Sequence, residues 1–144
     1  MLKDLRVLIV DDDPEILETL GDHIRGLGHH VTGRRSAQEA LAVLKGEEVS
    51  LMITDAMMEG MDGFDLARRV REDHPDIAIL MMTGHENEYP MSAALRAGAD
   101  GYISKPFSLR KFAMIFERSY WEALSRLDWW CARGGDKKVA ETIR

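Results

Sequence analysis

Val7-Leu8-Ile9-Val10-Asp11-Asp12-Asp13-Pro14 decides how the rest of the chain reads. Its apolar run is long enough for a buried strand and too short for an independent helix, and it ends directly in three carboxylates. The same arrangement recurs three times. Leu51-Met52-Ile53-Thr54 runs into Asp55, Ile79-Leu80-Met81-Met82 into Thr83, and Gly101-Tyr102-Ile103-Ser104 into Lys105-Pro106. Ligands of an open parallel α/β sheet bind outside the carboxyl ends of its strands. Carboxylates, a hydroxyl and an ammonium delivered to that one edge make a site for a cation and a phosphate.

Helical patterns fill the intervals. Pro14 opens the first helix, Ile16, Leu17, Leu20, Ile24 and Leu27 recur at helical spacing, and Gly28 ends it. A weak strand is expected around residues 30–33. Ser36 caps a second helix, with Glu39 three residues on forming a capping box and Ala37, Ala40, Leu41 and Leu44 as the apolar stripe. A third helix carries Phe64, Leu66, Ala67 and Val70 and stops at His74-Pro75, because a proline disfavours helical geometry in the residue before it. The fourth strand is expected over 77–82, and a fourth helix from about Pro90 to Gly98. The last helix starts near Ser108 and keeps its stripe to about Trp130, before Gly134-Gly135 and a polar tail. Strands alternating with helices predict a parallel sheet covered on both faces.

The 144 residues fit one domain with a real core. A net charge of −6 argues against a general nucleic-acid surface. No segment reads as a membrane span or secretion signal, so neither direct nucleic-acid nor membrane partners are expected. The single Cys131 excludes an internal disulfide and suits a reducing cytoplasm.

Asp11, Asp12 and Asp55 are expected within a few ångström of one another, and three uncompensated carboxylates repel. A hard cation relieves that repulsion. Mg²⁺ fits best, since it prefers oxygen ligands and needs only one or two direct carboxylates. Asp13, next to Pro14, fits a helix N-terminus better than the metal shell. Asp55 is the candidate nucleophile, able to form an acyl phosphate once metal and ammonium neutralise the incoming group. Lys105 is placed to bridge Asp55 and phosphoryl oxygens, and a cis Lys105-Pro106 bond is expected to aim it. Thr83 offers a hydroxyl to the phosphate, and Gly84 lets backbone N–H groups approach an anion.

Segments 7–14, 55–63, 82–85, 97–99 and 101–107 together resemble the receiver domain of two-component response regulators. The resemblance covers about residues 5–125 and extends to a flavodoxin-like five-stranded sheet of order 2-1-3-4-5 with helices on both faces; the order rests on that analogy. It implies that Asp55 takes a phosphoryl group from a histidine kinase or histidine phosphotransfer protein. It implies Mg²⁺ held directly by Asp12 and Asp55, through water by Asp11, and by the backbone carbonyl of Met57. Backbone groups of Met57 and Gly84 would bind the phosphoryl group, and Thr83 with Tyr102 would be the switch pair acting on the face of the fourth helix, fifth strand and fifth helix. Met57 and His85 stand where the family tunes phosphoryl lifetime. Glu59 stands where the family usually has proline, and either acts on the metal or points into solvent.

Such a protein is a signalling switch rather than an enzyme, apart from self-phosphorylation from a phosphodonor and slow autodephosphorylation. Residues 1–125 are expected to form the receiver domain. Residues 126–144 are expected to extend the last helix into a short tail with no separate output domain. That favours a stand-alone receiver controlling a protein partner or relaying phosphate. The alternative is a receiver belonging to a longer regulator or hybrid kinase. A more distant one is an Mg²⁺-dependent aspartyl-phosphate hydrolase, for which the second acid/base Asp and the substrate cap are not seen near Asp55. Trp129 and Trp130 point about 100° apart on a helix. Either one contacts a partner or a second copy through the last two helices, or both cover the domain itself.

Overall fold

Strands three and four of the sheet, β3 (Leu51–Asp55) and β4 (Ala78–Thr83), are buried at every residue. That is why their sequences run apolar instead of alternating. The computed structural model describes residue 2, residues 4–84 and residues 88–132, with side chains through residue 128. The remaining elements are β1 (Arg6–Val10), α1 (Pro14–Gly26), β2 (His30–Arg34), α2 (Ala37–Gly46), α3 (Gly63–Asp73), α4 (Met91–Arg96), β5 (Gly101–Ser104) and α5 (Leu109–Ala132). All strand pairs are parallel, in the order β2-β1-β3-β4-β5.

The expected elements are present with small, explicable shifts. The ladder continues through Asp55↔Met82 and Thr83↔Ser104, so β3 and β4 each take in the polar residue that follows their apolar run. β4 begins at Ala78 because the Ile77 N–H donates to the His74 carbonyl in a turn. Gly28 and Gly98 follow the ends of α1 and α4 with φ of +98° and +108°, a region that costs an L side chain strain. α5 passes residue 125 without a break, and its Leu127 is buried. Trp129 and Trp130 lie on α5 with side chains outside the described residues, as is the polar tail.

Each sheet face has its own core. Leu8, Val10, Met52, Ile79 and Met81 meet α2, α3 and α4 on one side. Val7, Ile9, Leu51, Ile53 and Leu80 meet α1 and α5 on the other, where Phe112 and Phe116 are packed. Each fully buried Leu, Ile or Phe contributes roughly 1.5–3 kcal/mol, so the sheet is a stiff platform. Among the described residues no helix is long and apolar enough to cross a membrane.

One buried titratable group ties α1, β1 and α5 together. The His29 ring lies 5.4 Å from Phe116, and its Nδ1 accepts the Leu5 N–H at 3.2 Å. Burial, aided by neighbouring His30 and opposed by Asp4, pushes its pKa below the usual histidine value. A base held neutral in the fold but protonated in the unfolded chain costs stability as pH falls. Stability should therefore decline below about pH 6.5 and level off once pH passes the lowered native value. His29→Asn keeps an acceptor for Leu5 but does not titrate, and should lose about 1 kcal/mol of ring packing at neutral pH. In thermal melts its deficit relative to wild type should narrow from pH 7.5 to pH 5.5; a constant deficit would refute the assignment.

Candidate phosphoacceptor site

The acidic site is built by strand ends. Asp11 leaves β1 fully buried, its N–H bonded to the Arg34 carbonyl at 3.1 Å. Its two carboxylate oxygens accept the Asp13 N–H at 2.9 Å and the Lys105 ammonium at 3.0 Å. Asp12 is exposed, and Asp55 at the end of β3 is 9% exposed. One carboxylate oxygen from each of Asp11, Asp12 and Asp55 lies within 4.8 Å of the others. Lys105, after β5, reaches the cluster from the far side and stands 3.6 Å from Asp55. Its backbone N–H donates to the Thr83 carbonyl, and the Lys105-Pro106 bond is cis.

The loop after β3 is held by backbone contacts. Ala56 N–H donates to the Met82 carbonyl at 2.8 Å and Gly63 N–H to the Ala56 carbonyl at 3.0 Å. A Cβ at Gly63 would overlap the Asp55 carbonyl oxygen, so only glycine allows α3 to start this close to the acidic edge. Asp55 accepts a backbone hydrogen bond from Met57. Burial, above all, raises the Asp55 pKa from its ordinary value; Lys105 opposes this, and the Asp11 and Asp12 charges add to it. Among the described residues one ammonium, that of Lys105, pairs with this cluster of three carboxylates, which leaves it short of positive charge. Its donor set is all oxygen, with Asp12 open to solvent, and that set fits Mg²⁺.

The other expected site residues fall as follows. Asp13 caps α1 by accepting the Glu15 N–H at 2.9 Å. Thr83 is buried at the end of β4, one residue beyond the Asp55 register partner. Gly84 is exposed, and a Cβ there would meet open space. Tyr102 on β5 is half-buried, and its hydroxyl donates to the Tyr89 carbonyl at 2.8 Å. Glu59 is exposed on the rim of an open recess of about 590 Å³ that also borders Asp12, and it is not one of the three clustered carboxylates. His85 lies outside the described residues. Arg35, which no sequence signal marks, donates to the Asp12 carbonyl at 3.1 Å. The adjacent Ser36 cap hints at an ordered turn there, but the contact spans 23 residues and has no periodic signature.

A family model for the response regulator receiver domain matches residues 7–117. The chain belongs to the response regulator receiver domain family. The heme response regulator HssR of Staphylococcus aureus is 33% identical over 107 residues, which are 74% of this chain and 47% of HssR. The chain thus spans about half the length of the curated relatives it matches. Among solved structures, a CheY-like receiver domain protein from Methanospirillum hungatei JF-1 superposes with a TM-score of 0.78 at 30% identity, covering 88% of this chain and 99% of its own. The response regulator TrrA from Thermotoga maritima, solved in complex with Mg²⁺-BeF, gives 0.72 at 27% identity over 82% of this chain and 99% of its own. The fold is that of a CheY-like receiver, and the chain is a signalling component of two-component systems.

Proposed function

We propose that this receiver accepts a phosphoryl group on Asp55 from a phosphohistidine donor, on a histidine kinase or histidine phosphotransfer protein. The observation that carries the reading is the convergence of Asp11, Asp12, Asp55 and Lys105 at one sheet edge. An Asp55 carboxylate oxygen attacks phosphorus, the phosphorus–nitrogen bond breaks, and the departing imidazole keeps the electron pair and takes up a proton. Lys105 supplies a fixed positive charge beside both the nucleophile and the incoming oxygens. Thr83 donates its hydroxyl to the phosphoryl group, with backbone N–H groups of Met57 and Gly84 as further donors. The side chains of Asp11, Asp12 and Asp55 and the Met57 carbonyl would hold Mg²⁺. When bound, the ion neutralises carboxylate and phosphoryl charge. A Mg²⁺-BeF complex in the relative TrrA agrees with this choice of ion.

The output reading is that phosphate on Asp55 draws Thr83 toward it and lets Tyr102 rotate inward. The rotation costs the Tyr102 bond to the Tyr89 carbonyl and changes the α4-β5-α5 face, controlling a cytoplasmic protein partner or relaying phosphate onward. Self-association through the last two helices belongs to the same reading. Catalysis is limited to self-phosphorylation and slow autodephosphorylation.

The test is incubation with a small phosphodonor such as a phosphoramidate and Mg²⁺, followed by intact mass. One added phosphoryl group is expected, and a chelator should cut the initial rate at least about tenfold. Equal rates with and without chelator would remove the metal from the reading, and no addition at all would remove the phosphoacceptor.

A further inference from the structure

The exposed loop carboxylate of the acidic site has a support that comes from another strand end. Asp11 N–H bonds to the Arg34 carbonyl, and the Arg35 guanidinium Nη2 donates to the Asp12 carbonyl at 3.1 Å. Two successive residues of the acidic loop are therefore tied to two successive residues at the end of β2. Arg35 is itself held. Glu39 Oε2 accepts the Arg35 backbone N–H at 3.3 Å and the Ser36 hydroxyl at 3.1 Å. The Glu39 N–H closes the box by donating to Ser36 Oγ at 3.2 Å. An ordinary capping box returns its carboxylate to the N–H of the capping residue. Here it reaches one residue further back, to the arginine that grips the site.

We propose that Arg35 is a positioning residue for Asp12, and that the α2 capping box, through Glu39, holds Arg35 in place for that task. The proposal rests on the reading that Asp12 helps hold a divalent cation. Asp12 is the exposed member of the three carboxylates, so it has the most freedom to lose on binding. Asp11 is fixed by Lys105 and by the Asp13 N–H, and Asp55 by its strand and by Met57. For Asp12, the described side-chain tether on the backbone is Arg35. A hydrogen bond from a guanidinium to that carbonyl restricts the peptide that aims the carboxylate. The opposing effect is repulsion between guanidinium and cation. Arg35 is exposed, so water and salt screen that repulsion and the positioning effect prevails.

Mg²⁺ titrated calorimetrically into the full chain tests this. Arg35→Ala should bind Mg²⁺ about three- to tenfold more weakly, the range one such hydrogen bond supports. Glu39→Ala should weaken binding in the same direction. The double variant should bind no more weakly than Arg35→Ala alone, because the two residues act through one contact. In cation-free protein, amide exchange at Asp13 should quicken in Arg35→Ala while β3 amides stay protected, which separates loop release from general unfolding. Unchanged or tighter Mg²⁺ binding in Arg35→Ala overturns the proposal, and so do additive losses in the double variant. Absence of Mg²⁺ binding in the wild type instead overturns the cation reading on which the proposal stands.

Discussion

In Asp55→Asn protein, covalent phosphate from a small phosphodonor is expected to fall about a hundredfold or more. The amide is close in shape to the carboxylate but lacks its charge and its nucleophilic oxygen pair. The surrounding contacts give the substitution a second signature. Burial raises the Asp55 pKa, so the ionised form is disfavoured in the native state relative to the unfolded chain. A carboxyl with a raised native pKa adds stability below its unfolded value near pH 4 and loses it as pH rises through the native value. At neutral pH, without divalent cation, the wild type has lost stability in this way and Asp55→Asn, which does not titrate, has not. The variant should therefore melt at a higher temperature, and added Mg²⁺ should raise the wild-type midpoint more than the variant's. Thermal melts with and without Mg²⁺, read beside phosphate incorporation, check both parts. Incorporation at the wild-type level in Asp55→Asn would place the acceptor on another residue.

A feature of this chain is legible in its sequence where it repeats locally or follows from where strands end. Val7–Val10, Leu51–Thr54 and Ile79–Met82 read as buried strands because β1, β3 and β4 sit in the sheet interior, where both faces are covered. β2 has only a weak sequence signal, because its residues are exposed or half-buried at the sheet edge and include Gly33. The meeting of Asp11, Asp55 and Lys105 was legible for a topological reason: each follows a strand, and parallel strands end together. The Asp13 cap was legible from Pro14. Contacts that arginines make between elements away from those strand ends were not. Arg35 reaches the Asp12 backbone carbonyl across 23 residues, and Arg71 and Arg126 reach the Asp100 carboxylate across 29 and 26. In the sequence each is one more solvated charge, since neither apolar spacing nor a capping motif marks its partner.

That last cluster carries the second large effect. Asp100, at the turn into β5, has a side chain only 5% exposed. It accepts Arg71 Nη2 at 2.8 Å, Arg126 Nε at 3.0 Å and the Ile79 N–H at 3.0 Å. Arg71 further donates to the carbonyls of Pro75, Ile77 and Gly98, and Arg126 to that of Pro75. One carboxylate thereby joins α3, the start of β4, the α4–β5 turn and the extension of α5. Burial lowers the Arg71 pKa, the nearby Arg126 adds to this, and the Asp100 charge opposes it. Asp100→Ala leaves two like charges facing each other and a strand N–H without its acceptor. Removing one partner of a buried pair costs about 3–5 kcal/mol, and the lower end applies because the Arg126 side chain is 33% exposed and can turn to water. A loss of about 3 kcal/mol corresponds to a fall of about 10 °C in the thermal midpoint. Asp100→Asn, which still accepts from Ile79, should lose about half as much. Replacing Arg126 by Met in the Asp100→Ala background should recover part of the loss by removing the like-charge contact. Asp100 precedes β5 and Lys105 follows it, a separation of about 16 Å along the strand. Phosphate incorporation at 20 °C should therefore survive in Asp100→Ala. A loss of incorporation in a variant less than about 1 kcal/mol destabilised would show instead that this end of the sheet acts directly on the acceptor site.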